Sequence, residues 1–235
     1  MSHYWKLDET GTPTDFFDSY AEINNAFCSS GACPSPATGI INGAQYFDGV
    51  GDEVNVLDDN SFDWGADDSF SIEFWMRKET ACSGSGNEVM IGRVDPMFWY
   101  IGIDCASGGK VTFELADSDG GGDGVGILGN TVVSNGAWYH IVAVRNAGAG
   151  TISIYVNGTE EDSAPASFSS DFAGDVDLNI GYLNFGGGGF YYKGILDEVA
   201  FYNRALSETE IKSHYYLAKG YCNPVSYTHL RAHET

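Results

Sequence analysis

The chain has 235 residues, enough for one large domain or two small ones, with 11 Lys+Arg against 33 Asp+Glu and a formal net charge of −22. That balance excludes the basic footprint that nucleic acid requires, and equally a surface that recruits anionic lipid. The chain is 43% hydrophobic and 14% aromatic, so it is no disordered acidic tail; its 31 glycines call for many turns, and no apolar run approaches the roughly 18 residues of a membrane span.

The first residues, Met1 to Lys6, lack the apolar stretch of a signal peptide, which by itself points to the cytosol. The five cysteines point the other way. Cys28 and Cys33 bracket Ser-Ser-Gly-Ala, a segment flexible enough for a small disulfide loop, and Cys82 and Cys105 fall near the ends of adjacent strands. Metal binding is the competing reading, but no Cys-x-x-Cys pair or closely spaced His accompanies them. Disulfides and an oxidising compartment are therefore expected, which makes the chain a piece of a longer secreted or surface protein. The pairing itself stays open, with Cys222 as the odd residue.

Short apolar alternations then follow one another between Gly, Asn, Asp and Ser clusters. Ser71 to Arg77 alternates with period two and places Ile72, Phe74 and Met76 on one face, with Glu73, Trp75 and Arg77 on the other. Trp138 to Arg145 is a second strand and Thr151 to Val156 a third, joined by a hairpin loop from Asn146 to Gly150. Asn157-Gly158 supplies a tight turn of the positive-φ kind, and its formal glycosylation sequon with Thr159 is not expected to be occupied there. Leu178, Ile180, Ile195, Val199 and Phe201 continue the pattern. Strands of this length and spacing predict an all-β, two-sheet antiparallel sandwich or jelly roll in one domain, residues 1–224. One short C-terminal helix is marked by a capping box, Ser207 with Glu210, by a hydrophobic staple of Leu206 and Ile211, and by Gly220 as its stop. Residues 225–235 change character abruptly and resemble translated adaptor DNA. They are read as a non-native tail, and His229 and His233 are set aside.

Six segments in order resemble the LamG-like (laminin G-type) domains of the concanavalin A-like jelly-roll class: Tyr4 to Glu9, Gly43 to Gly49, Phe70 to Trp75, Trp138 to Val144, Ile154 to Gly158 and Gly194 to Ser207. The resemblance extends to about Asn223. It implies a secreted module of the adhesion or carbohydrate-active kind, with a glycan or a cell-surface or matrix ligand as partner. It also implies a structural calcium where the N-terminal segment meets the last long strand. Asp197 matches the carboxylate position there, and by parity it shares a face with Ile195 and Val199; Glu9, Asp18 and the Asp48-Gly49 turn are its expected co-ligands. The alternative is that Asp197 caps backbone N–H groups or pairs with Arg204.

Aromatic rings grip sugars because their apolar faces stack on the C–H face of a pyranose. Phe98-Trp99-Tyr100 and Phe190-Tyr191-Tyr192 are the candidate clusters, with Trp75 on an outward face. Trp75, Trp99, Tyr100, Tyr191 and Tyr192 are thus the expected ligand contacts, against the reading that period-two aromatics in a sandwich are core. The Asp117 to Asp123 loop reads as a solvated hairpin tip, and the Gly186 to Gly189 run as a loop presenting Phe190 to Tyr192. Catalysis is not expected. A glycosidase needs two carboxylates facing one cleft, whereas Asp197 and Glu198, like Asp58 and Asp59, are adjacent and should point to opposite faces; His140 lacks a nucleophile context. A glycosidase of the same fold and a structural protein–protein adhesion module are the alternatives.

Overall fold

Period-two alternation decides which side chains of each strand meet across the molecule. In the computed structural model, which describes residues 1–82, 86–95, 97–118, 124–185 and 188–220, the strands run in chain order as follows. They begin with β1 (His3–Trp5), β2 (Asp15–Phe16), β3 (Ala26–Phe27), β4 (Ser35–Thr38), β5 (Gly43–Asp48), β6 (Val54–Val56), β7 (Phe70–Arg77), β8 (Asn87–Val94) and β9 (Phe98–Asp104). They continue with β10 (Lys110–Ala116), β11 (Val125–Val132), β12 (Trp138–Asn146), β13 (Thr151–Val156), β14 (Thr159–Pro165), β15 (Leu178–Ile180), β16 (Asn184–Phe185), β17 (Gly188–Gly189) and β18 (Lys193–Tyr202). A helix, α1 (Glu208–Ala218), follows the last strand.

The first sheet has the order β14-β13-β12-β7-β18-β5-β4, with β1 also paired to β18; the second runs β11-β10-β9-β8-β15-β6-β3-β2. Between them lies one apolar layer, fed by Phe70, Ile72, Phe74 and Met76 from β7 and by Trp99, Ile101 and Ile103 from β9. The expected alternation of β7 is therefore realised, as are the hairpin between β12 and β13 and the positive-φ turn at Asn157 and Gly158. Two of the expected ligand contacts belong to this layer. Trp99 is fully buried, its ring 5.6 Å from Trp64 and 6.1 Å from Phe201. Tyr192 is also fully buried, with its hydroxyl on the carbonyl of Arg77 at 3.2 Å. In both aromatic triplets the pleat turns one ring inward, so neither Trp99 nor Tyr192 is placed to stack on a sugar.

β18 breaks its own alternation. Asp197 lies opposite Trp75 and Ala200 opposite Glu73, so β18 has one residue more than β7 between these pairs, and Glu198 takes φ 55° to accommodate it. Ile195 and Asp197 face outward before this bulge, while Val199 and Phe201 face the core after it. This corrects two expectations. Asp197 does not share a face with Val199, and Asp197 and Glu198 do not point to opposite faces.

α1 covers the outer face of the first sheet. The Ser207 side chain accepts from the Glu210 N–H while the Glu210 carboxylate accepts from the Ser207 N–H at 2.9 Å, the reciprocal cap expected from the sequence. Leu206 and Ile211 are buried against Val142, Val144, Ala200 and Tyr202, which fixes the helix on the strands. Disulfides join Cys28 to Cys33 and Cys82 to Cys105. Cys222, residues 225–235 with His229 and His233, Asp119 and Asp123, and Gly186 and Gly187 lie outside the described residues.

Truncating Trp99 tests this assignment. Trp99→Ala should lower the unfolding free energy by about 3–5 kcal/mol, as expected for a large aromatic removed from a closed core, and denaturant titration will measure it.

Candidate functional site

With the inward positions of the second sheet given to the core and to the fold-holding Arg93, chemistry falls to its outer face. Register carries one row across seven strands there: Phe27 lies opposite Asn55, Asn55 opposite Asn179, Asn179 opposite Gly92, Gly92 opposite Tyr100, Tyr100 opposite Glu114, and Glu114 opposite Gly126. Residues 181–185 and 188–192 fold over this row. Gly181 takes φ 84° and leaves no room for a side chain, since a Cβ there would stand 2.1 Å from the Phe47 ring. The Tyr182 hydroxyl meets Asn55, and Asn179 donates to it at 3.0 Å, while Tyr191 stacks on Tyr182 at 5.9 Å. Leu183 lies over Gly92, and Phe190 exchanges backbone hydrogen bonds with Leu183.

Beyond Leu183 the fold leaves a pocket of about 190 Å³, lined by Asn87, Val89, Phe98, Tyr100, Glu114, Leu183, Phe185 and Phe190. Phe98 and Tyr100 lie 6.5 Å apart on the strand side, and Phe185, half exposed, faces Phe98 at 6.1 Å from the hairpin side. Polar groups gather at one place. Asn87 donates to the Tyr100 hydroxyl at 2.9 Å, and burial together with the Glu114 carboxylate holds that phenol well above its ordinary range, so it stays protonated. An apolar slot with ring faces on two sides and an amide, a phenol and a carboxylate at its edge suits a small polyhydroxylated ligand. Of the expected contacts, Tyr100 lines the slot and Tyr191 supports the hairpin that roofs it. Phe98, Phe185, Phe190 and Glu114 complete the lining. Phe98 and Phe190 stood in the quoted clusters, whereas Phe185 and Glu114 carry no local signal and reach the slot only through folding.

Trp75 is on the opposite side of the molecule. It does face outward, but α1 covers it: Tyr215 stacks on it at 5.8 Å, Lys219 stands over its ring at 5.5 Å, and it is only 3% exposed. Beside it a second pocket, about 390 Å³, is lined among others by Tyr4, Glu73, His140, Glu198 and His214. Two carboxylates therefore do share one cavity, as a glycosidase would need. Glu73, however, is fully engaged. His140 Nε2 lies 2.6 Å from its Oε1, the Tyr202 hydroxyl donates to its Oε2 at 2.8 Å, and His214 Nδ1 is 3.0 Å from both oxygens. Burial opposes its ionisation, yet the two imidazoles hold it well below the usual carboxylate range. Glu198 is tied to the Tyr4 hydroxyl, and burial raises its pKa.

Asp197 is buried beside this cavity. Its Oδ2 accepts from the backbone N–H of Ile40 at 2.7 Å and Ile41 at 3.2 Å, while its Oδ1 has no hydrogen-bond partner. Burial, with the neighbouring charges of Glu198 and Asp8, pushes its pKa up to about 8. The capping alternative is thus realised for one oxygen, while Arg204 pairs with Glu210 instead. The expected co-ligands stand elsewhere. Asp18 is buried against His3 and caps the N–H groups of Tyr4, Tyr20 and Ala21. Glu9 accepts from the Phe17 N–H. Asp48 and Gly49 turn the chain at the end of β5, where Asp48 lies opposite Lys193. No hydrogen bond joins any of these four to Asp197, whose Oδ2 bonds are to Ile40 and Ile41. Asp8 is the acid its loop brings near, through a hydrogen bond from the Gly43 N–H at 2.7 Å. Among the described residues the one compact trio of metal-ligating side chains is Cys82, Glu88 and Cys105, two of which are bonded to each other. Asp117 accepts from the N–H groups of Ser169 and Ser170 and so acts as a cap.

The profile of the concanavalin A-like lectin/glucanases superfamily, in its laminin G form, matches residues 48–212, and the chain belongs to that superfamily. No curated protein matches it. Among solved structures, the binding domain of Paraclostridial Mosquitocidal Protein 1 superposes with a TM-score of 0.72 at 17% identity, covering 91% of this chain and 52% of that one. The receptor binding domain of botulinum neurotoxin D gives 0.67 at 14%, covering 91% and 52%. The chain thus spans about half of these toxin domains. Domain 4 of AbnA, a GH43 extracellular arabinanase from Geobacillus stearothermophilus solved with arabinotriose, gives 0.65 at 18%, covering 90% of this chain and 96% of that one. At these identities the likeness shows the fold.

The Glu73 cluster makes α1 sensitive to pH. Burial lowers the His214 pKa, but Glu73 outweighs this and raises it overall. A raised folded-state pKa contributes stability that is complete below the unfolded value near 6.5 and lost as pH rises through the folded value. His214→Gln should therefore destabilise the protein more at about pH 6 than at about pH 9, by about 2–4 °C in Tm per kcal/mol of lost pairing. Equal destabilisation at both pH values would count against the ion pair.

Proposed function

We propose that this chain is an extracellular, non-catalytic carbohydrate-binding module of a larger protein, taking its glycan in the Phe98–Tyr100–Phe185–Phe190 slot. The slot itself carries the reading: rings on two sides with Asn87, the Tyr100 hydroxyl and Glu114 at the edge. The arabinotriose complex of the AbnA domain, whose length this chain nearly matches, supports a sugar ligand, and the toxin domains support a binding role. The two disulfides favour an oxidising compartment. No described helix is long and apolar enough to cross a membrane. Glu73 argues against the glycosidase alternative, since both its oxygens are held by His140, His214 and Tyr202 and α1 lies over it. Phe185→Ala should weaken oligosaccharide binding roughly tenfold or more in calorimetric titration. Its Tm should hold, because Phe185 is half exposed. Binding unchanged in that variant would remove the slot from consideration.

Structural calcium belongs to the same proposal, at Asp197. Its unpartnered, buried Oδ1 is the kind of hard oxygen that calcium takes, and Glu198 and Asp8 are the carboxylates whose charges act on it. The cation would neutralise the Asp197 charge and hold the N-terminal segment against β18. Calcium at about a hundred times its dissociation constant should add about 2.7 kcal/mol of stability. Chelator should reverse the gain in a thermal melt, and Asp197→Asn should abolish the difference. A melt indifferent to calcium in the unaltered protein would rule the site out.

A further inference from the structure

Resting on the glycan reading of the slot, we infer that its ligand is a neutral glycan and that acidic sugars are turned away. Among the described residues that line the slot, Glu114 is the one ionisable carboxylate and none is Lys or Arg. Its partner Tyr100 is a half-buried phenol whose proton is held there by burial and by the charges of Glu114 and Asp104. The slot therefore carries negative charge with no cation facing it. A sugar hydroxyl donates to that carboxylate at no electrostatic cost, whereas a uronate, sialate or sulfate brought beside it meets like charge.

The cations on and beside these strands are engaged in holding the fold or stand away from the slot. Arg93 stands on β8, a neighbouring strand of the slot, but its side chain is fully buried and turned inward. There it donates to Asp58 at 2.5 Å, to Asp63 at 3.0 Å and to the carbonyls of Phe62, Gly174 and Val176. Lys78 is 1% exposed, and its ammonium lies 2.9 and 2.8 Å from the two oxygens of Glu88. Lys110 shares β10 with Glu114 but stands at the far end of the strand, opposite Asp104. Over the whole chain 33 acids face 11 bases, so the long-range field has the same sign as the local one.

The slot also ends on a row that is polar but uncharged toward the far strands. Asn55, Asn179 and the Tyr182 hydroxyl hydrogen-bond one another, so past Leu183 the neighbouring groups are largely buried amides and a phenol in place of cations. Recognition then rests on stacking and on hydrogen bonds to hydroxyls, which salt screens little.

Immobilised neutral oligosaccharides, arabinan and β-glucan fragments among them, are compared with polygalacturonate, sialylated and sulfated oligosaccharides for binding of the intact chain, at low and at physiological salt. The expected result is binding to one or more neutral ligands, at least roughly tenfold tighter than to any acidic one, little changed by salt and lost in Phe185→Ala. Binding of acidic ligands that strengthens at low salt and is lost in Phe185→Ala would falsify the neutral preference while leaving the slot a glycan site. Binding of neither class, or binding indifferent to Phe185→Ala, overturns the glycan reading together with this inference.

Discussion

Each strand offers two faces, and in this sandwich one of them is already committed to the apolar layer between the sheets. That constraint governs everything else, because polar chemistry is left with the two outer faces and with whatever covers them. The two faces are used differently. On the first sheet α1 and the N-terminal segment close over the polar groups, so Glu73 ends in a saturated knot of two imidazoles and a phenol. On the second sheet, among the described residues, a hairpin lies over the strands and stops short, leaving the slot between Phe98, Tyr100 and Phe185. The same rule that buries Trp99 turns Tyr100, its neighbour in sequence, to the outer face, where it is half-buried.

Local features were legible because local physics sets them. The cap at Ser207 and Glu210, the turn at Asn157 and Gly158, and the alternation of β7 each need only a few neighbouring residues to form. In both aromatic triplets the alternation rule requires part of each cluster to point inward, and the structure supplies the parity. Trp99 and Tyr192 went to the core, while Tyr100 and Tyr191 stayed on the outer side. Phe185 and Glu114 were out of reach, since they join Phe98 only when the hairpin and β10 are brought into register from distant parts of the chain.

Asp197 shows a different limit. Parity counting assumes an unbroken pleat, and one inserted residue at Glu198 invalidates it for the rest of the strand. Nothing in Leu-Asp-Glu-Val announces that insertion, because a positive φ at a glutamate is written in the pairing with β7. The bulge sends Asp197 and Glu198 to the same side, which explains why an acid whose pKa is raised to about 8 sits next to a second acid whose pKa is also raised. Glu9, Asp18, Asp48 and Gly49 were grouped with it by position in a motif, yet Asp18 ties its own turn to His3 and Tyr4 of β1, Glu9 accepts from Phe17, and Asp48 and Gly49 turn the chain after β5.

The placement of the chain's ends gives the domain a direction. Met1 and Ala218 line the same cavity on the outer face of the first sheet, whereas the aromatic slot opens on the outer face of the second. Both described ends therefore leave from one side of the sandwich, and the slot looks out from the other. On the proposed glycan reading, a tether at either end would lengthen the reach of the slot without shading it.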